Sequence, residues 1–150
     1  MKNKKKILPP TYFLILFLLA IIGNYVWPIK TIIIFPYNLL GVAIIIFGII
    51  INLWTDSLFK KANTTVKLDE KSLVLIVSGS FKLSRHPMYL GMVSILLGES
   101  ILLRNIITFI FPVVFILIAE FVFISKEEKD MQMTFGEEYI KYKKQVRRWL

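Results

Sequence analysis

Arg85, His86 and Tyr89 fall within the short stretch "SRHPMYLG", and His86 is the only histidine of the chain. A guanidinium grips a carboxylate through two parallel hydrogen bonds, and an imidazole changes charge near neutrality. Further along, "AEFVFISKEE" supplies three carboxylates, Glu120, Glu127 and Glu128. The chain then runs through "FGEEYIKYKKQVRRWL", which carries Tyr139, Tyr142, Arg148 and Trp149. Arg85 and His86 together suit an anion. Other chemistries are excluded by composition. With no cysteine there is no disulfide, thiolate nucleophile or cysteine-bound metal, and a lone histidine argues against a zinc site, so no metal is expected.

The elements that must position these residues are strongly apolar. Residues 11–27, 37–54, 87–103 and 106–124 form four apolar blocks whose only charged members are Glu99 and Glu120. Each is close to the roughly 20 residues that a membrane-spanning helix needs. The expectation is a single all-α domain over 1–150, a polytopic membrane protein with four transmembrane helices, a cytoplasmic loop at 57–86 and a cytoplasmic helical tail at 125–150. Of the 19 basic residues, those between the second and third blocks and those at the two ends sit on one side after four crossings. Only Lys30 and Arg104 fall on the other. That asymmetry places both termini and the central loop in the cytoplasm. It also accounts for the net charge of +9 through anionic lipid headgroups, with no nucleic-acid partner. The first block lacks a small-x-small cleavage site and reads as a helix that is retained.

Pro87 suits the first turn of the third helix, which puts residues 86–89 at a helix N-terminus, where unpaired N–H groups favour an anion. An Arg and a His at such a place also serve as plain interfacial anchors. Glu120 lies inside an apolar helix, where a carboxylate is costly and signals function or helix pairing. Glu99 is subject to the same argument nearer the opposite face. At helical spacing Glu120, Ile124, Glu127, Glu128 and Met131 share one face. Gly41, Gly48, Asn52 and Asp56 share another on the second helix, and Gly91, Ser94 and Gly98 on the third, the pattern of close helix pairing in lipid. In the tail, Phe135, Tyr139, Tyr142, Val146 and Trp149 also repeat at helical spacing, and Gly136 offers a bend. The tail is either a surface anchor or a lid that folds back with Arg148 pointing inward.

"RHPMYLG", a helix pair, "EE" and "FGEEYIKYKKQVRRWL", in that order, resemble the isoprenylcysteine carboxyl methyltransferase family, integral membrane enzymes related to the phospholipid N-methyltransferases. The resemblance covers about residues 59–150, including "NTTVK" before the Arg-His-Pro motif. Two departures are "GSF" at 79–81, where the family usually carries Gly-Pro-Tyr or Gly-Pro-Phe, and "KLDEKS", where a proline-containing turn is common. The resemblance implies S-adenosyl-L-methionine as cofactor. It implies that Arg85, His86, Tyr89, Gly91, Glu127 and Glu128 line its pocket, with Tyr139, Tyr142, Arg148 and Trp149 closing over it. Catalytic work would fall to Arg85 on the cofactor's carboxylate and Glu127 on its hydroxyls or amino group. Glu120, or His86, would serve as base if the acceptor is an amine. The leading reading is a methyltransferase for a lipophilic acceptor of the isoprenylcysteine carboxyl type. The alternatives are a phospholipid amine N-methyltransferase and a non-catalytic membrane subunit that binds lipid or a partner. The partners expected are membrane lipids and a lipophilic or lipidated acceptor.

Overall fold

The computed structural model describes residues 8–28, 33–62 and 74–150; "NTTVK" and "KLDEKS" lie outside them, as do Lys2, Lys4, Lys5, Lys6 and Lys30. Every regular element among the described residues is helical. Helix α1 (Pro9–Val26) opens with two prolines, which need no N–H partner in a first turn. A 3-10 turn (Tyr37–Leu39) leads into α2 (Leu40–Lys61), and a second (Gly79–Lys82) precedes α3 (Pro87–Leu103). A third (Ile106–Phe109) starts one continuous helical run: α4 (Ile110–Ile118), a π-helical stretch (Ala119–Ile124) and α5 (Ser125–Gln145).

The protein is an all-α polytopic membrane protein. Three stretches, Pro9–Val26, Tyr37–Lys61 and Ile106–Gln145, are long and apolar enough to cross a membrane, and α3 is apolar and slightly shorter at 17 residues. At 1.5 Å per residue α3 spans about 26 Å, close to the hydrocarbon thickness. It is also the most enclosed helix, with Leu90, Met92, Leu96, Gly98 and Ser100 all buried. Around it, α1 and α2 turn Leu14, Leu18, Ile22, Val42, Ile46 and Ile50 outward, as lipid-facing helices do. Leu96, Phe115, Ala119 and Ile124 are fully enclosed at the centre.

Helices α2 and α3 pack closely through the small residues picked out at helical spacing. A Cβ at Gly48 would come within 2.5 Å of the Gly91 carbonyl, and Gly41 and Gly98 face each other's carbonyls in the same way. Lipid tails offer no apolar driving force between helices, so this intimacy of backbones replaces it. Two boundaries differ from expectation. Helix α2 continues to Lys61 rather than stopping near 54, extended by a polar turn in which Asp56 pairs with Lys60 at 2.5 Å. The tail helix stops at Gln145, and Val146 is extended (φ −123°, ψ 132°), so Val146 and Trp149 are not on the helical stripe. Residues 147–149 are held instead by tertiary partners on the loop before the third span and on the fourth.

Candidate active site

The two limbs of the site are brought together by a bend. At Gly136 the backbone takes φ 51° and ψ −122°, a conformation suited to glycine, and α5 doubles back on itself. Its second half reaches the loop before α3, where Tyr142 donates to the Phe81 carbonyl at 2.7 Å. Beyond the helix, residues 146–150 form a strap. The Arg85 amide donates to the Arg147 carbonyl at 3.0 Å and Ser84 Oγ donates to the Arg148 carbonyl at 2.8 Å. Ser84 also accepts from the His86 amide at 3.1 Å, so one buried hydroxyl fixes both the strap and the start of α3. The loop is itself anchored on α2 by Ser80, whose hydroxyl lies 2.8 Å from that of Thr55, both fully buried. A proline at position 80 could not make that bond.

Glu128 is the hub. Arg85 Nη2 lies 2.9 Å from its Oε1, Arg148 donates from Nε at 3.1 Å and from Nη2 at 2.6 Å, and Lys143 stands 3.7 Å away. His86 sits between the two neighbouring carboxylates, Nε2 at 3.4 Å from Glu128 and Nδ1 at 3.4 Å from Glu127. Tyr89 donates to Glu127 Oε1 at 2.6 Å. Burial opposes the charged form of both His86 and Glu128, and in each case the partners win. Glu127 and Glu128 raise the His86 pKa above its ordinary 6.5, and His86, Arg148 and Arg85 hold Glu128 far below the usual carboxylate range. Burial, reinforced by the charge of Glu128, raises the Tyr139 phenol to about 12, so it stays protonated.

Two features leave room for a ligand. Arg85 is buried (side chain 7% exposed), yet its Nε and Nη1 have no hydrogen-bond partner among the described residues. Beside the cluster, a cleft of about 530 Å³ is lined by Ser125, Glu128, Gln132, Met133, Lys143 and Arg148, among others. That volume is in the range of small-molecule sites. At the membrane end, the Phe123 ring stacks on Tyr89 (6.3 Å, 21°) and meets Tyr12 edge-on at 5.7 Å.

Arg85, His86, Tyr89, Glu127, Glu128 and Arg148 are thus brought into one network, and Trp149 and Glu120 join it through the strap. Gly91 is not part of it: a Cβ there would collide with Asn52, so the residue faces α2 and serves helix packing. Tyr139 and Tyr142 are buried side by side, with Tyr142 spent on the loop. Ser80, Ser84, Thr55 and Lys143 were not foreseen, since a lone serine or threonine carries no sequence signal for a tertiary bond.

The sequence model described as phospholipid methyltransferase matches residues 37–138. The chain belongs to the phospholipid methyltransferase family. The matched span holds α2, α3, the π stretch and the Glu127–Glu128 pair, and ends before the strap. A further relative of this phospholipid methyltransferase family member is an uncharacterized protein of Haemophilus influenzae. It is 40% identical over 63 residues, which is 42% of this chain and 100% of that protein. Among solved structures, the eukaryotic intramembrane Ras methyltransferase ICMT (isoprenylcysteine carboxyl methyltransferase) shares the fold, with a TM-score of 0.69 at 22% identity. The match covers 100% of this chain and 53% of that one, so the chain spans about half the length of that enzyme. The expected likeness to the isoprenylcysteine carboxyl methyltransferases is therefore met in the fold.

Proposed function

We propose that this protein is an S-adenosylmethionine-dependent methyltransferase acting on a lipophilic acceptor at the cytoplasmic face of the membrane. The observation that carries the reading is Arg85, a buried guanidinium with two nitrogens unpaired among the described residues, joined through Glu128 to the wall of a cleft of ligand size. Its free edge suits the cofactor's carboxylate. Glu127, which is partly exposed and contacted only by Tyr89 and His86 among the described residues, has acceptor capacity left for an ammonium or ribose hydroxyls. The faces of Tyr89, Phe123 and Tyr12 suit a sulfonium, as aromatic faces attract other cations.

When bound, S-adenosylmethionine supplies a methyl group activated by its sulfonium. The protein's own part is to align donor with acceptor and keep water out. Arg85 holds the anion, the rigid Glu128 hub keeps Arg85 in place, and the strap covers the polar face. The groups near the site bear on the acceptor class, with Glu127 assigned here to the donor. An amine must lose a proton before it attacks, which asks for a base. Glu128 is fully engaged by cations, Glu120 is held by the strap, and His86 lies between two carboxylates that favour its charged form. A carboxylate acceptor needs no base, which supports the isoprenylcysteine carboxyl type. The family match supports the second reading, a phospholipid amine.

Titration calorimetry with S-adenosylmethionine and S-adenosylhomocysteine tests the donor. Arg85→Ala should weaken binding at least roughly tenfold, the loss expected for a charge-assisted pair, while Glu99→Gln should leave it unchanged. Absence of binding by the wild-type protein would return the reading to a non-catalytic subunit. Transfer of labelled methyl to a farnesylcysteine carboxylate or to phosphatidylethanolamine in nanodiscs decides between the two acceptors.

A further inference from the structure

Glu120 lies in the π stretch, within the apolar part of the fourth span, and both its oxygens are taken by the strap. Arg148 Nη1 pairs with Oε1, and Trp149 Nε1 donates to Oε2 at 3.3 Å. The same guanidinium also holds Glu128, so one arginine bridges two carboxylates on a single helical run. An unbroken α-helix would not allow this. The eight steps from Glu120 to Glu128 would turn through about 800°, leaving the two side chains about 80° apart. A π turn absorbs one extra residue and brings them to within about 20°. The π stretch at Ala119–Ile124 supplies that residue, with Ser125 Oγ donating to the Glu120 carbonyl at 2.7 Å.

The two ends of the bridge differ. The Glu128 side chain is 5% exposed and held by several cations, whereas that of Glu120 is 23% exposed and held only by Arg148 and Trp149 among the described residues. Glu128 is the fixed end and Glu120 the end that can let go. Letting go reaches the ligand site through the backbone, because the strap's Arg147 carbonyl accepts from the amide of Arg85 itself. A base at this position would need a free oxygen, and neither is free.

We propose that Glu120 is a positioning residue: it is the catch that holds residues 146–150 against the site and thereby sets how long the methyl donor stays bound. The proposal rests on the donor reading above but has a consequence that needs no ligand. Arg148 and Trp149 should leave their places when the charge of Glu120 is removed, while the helical bundle stays intact.

The test uses the full chain in nanodiscs, comparing wild type with Glu120→Gln and Glu120→Asp. Hydrogen–deuterium exchange is followed without ligand at 84–86 and 146–150, with α3 as internal reference. S-adenosylhomocysteine dissociation, KM for the donor and kcat are measured in parallel. Glu120→Gln should speed exchange at 84–86 and 146–150 roughly tenfold, as loss of a charged hydrogen bond implies. Exchange in α3 should be unchanged, product should leave about tenfold faster and donor KM should rise with kcat retained. Glu120→Asp should restore part of each effect. Unchanged exchange at the strap in a folded variant overturns the catch. So does faster exchange spread evenly over α3, or a fall in kcat without a rise in KM. If Glu120→Gln does not fold, Trp149→Phe removes one of the two bonds and should give a smaller rise confined to the same segments; no rise overturns the proposal. If wild type binds no donor while strap exchange still responds, the catch stands and the donor reading falls.

Discussion

Glu127 and Glu128 are adjacent in sequence and have different work. Glu128 is enclosed and meets Arg85, Arg148, His86 and Lys143, while Glu127 meets Tyr89 and His86 and keeps contact with solvent. Spacing alone could not separate them, because neighbours on a helix diverge by about 100° and the π stretch upstream resets the phase. What was legible is the set of charged types; what was not is which carboxylate is spent on structure. Replacing Glu128 by Gln strands two guanidinium groups around a neutral amide. Removing one partner of a buried ion pair costs about 3–5 kcal/mol, so Glu128→Gln should lower the thermal midpoint far more than Glu127→Gln does. The pH profile has a matching shape. The folded pKa of Glu128 is depressed, so its stabilisation is present above its ordinary 4.5 and is lost as pH falls through the folded value. The pKa of His86 is raised, so its contribution is full below 6.5 and is lost as pH rises through the higher folded value. Thermal melts from pH 4 to 9 should show wild type losing stability on the alkaline side relative to His86→Gln, and a wild type whose advantage over His86→Gln is the same above pH 8 as below 6 would contradict this.

Among the elements, the apolar blocks were legible because lipid demands backbone pairing within each segment, which only a long apolar helix satisfies. The glycine faces of α2 and α3 could be read for the same reason. The strap could not, since its extended path depends on Ser84, Arg85 and Glu120, which are far away in sequence. Between these cases stands Gly136, visible as a place to bend but silent about the direction. A Cβ there would meet nothing within 4 Å, so the only obstacle to a side chain is the backbone itself at φ 51°. Gly136→Ala should therefore cost about 1–3 kcal/mol of backbone strain. That strain is relieved by straightening α5, which would carry Tyr142 and Arg148 away from the loop. The variant should insert in the membrane normally but lose donor affinity, whereas Thr134→Ala, two residues earlier on the exposed side, should lose none. Equal donor affinity in Gly136→Ala and wild type would mean that the doubled-back tail is dispensable.

At the scale of the whole molecule, polar chemistry and charge are gathered at one end. The loop before α3, the Glu127–Glu128 pair and the strap meet there, and most lysines and arginines of the sequence lie in the segments that lead to it. At the other end Arg104 Nε donates to the Ile33 carbonyl and Asn105 Nδ2 to that of Trp27, bonds that close the connections between helices and form no comparable cluster among the described residues. A charged sulfonium donor does not cross a bilayer unaided, so a site of this kind must open toward the compartment that supplies it. The positive-inside bias and the proposed donor then argue for the same orientation, although one follows from insertion and the other from substrate supply. Because the chain contains no cysteine, single cysteines report on it cleanly. Met133, 69% exposed on the first limb of α5, and Ile34, 72% exposed before the turn into α2, lie on opposite sides of this arrangement. In intact cells a membrane-impermeant maleimide should label Ile34→Cys and spare Met133→Cys, with the latter reacting only after lysis. Labelling of Met133→Cys from outside would put the site on the face without donor and would overturn the orientation and the proposed activity together.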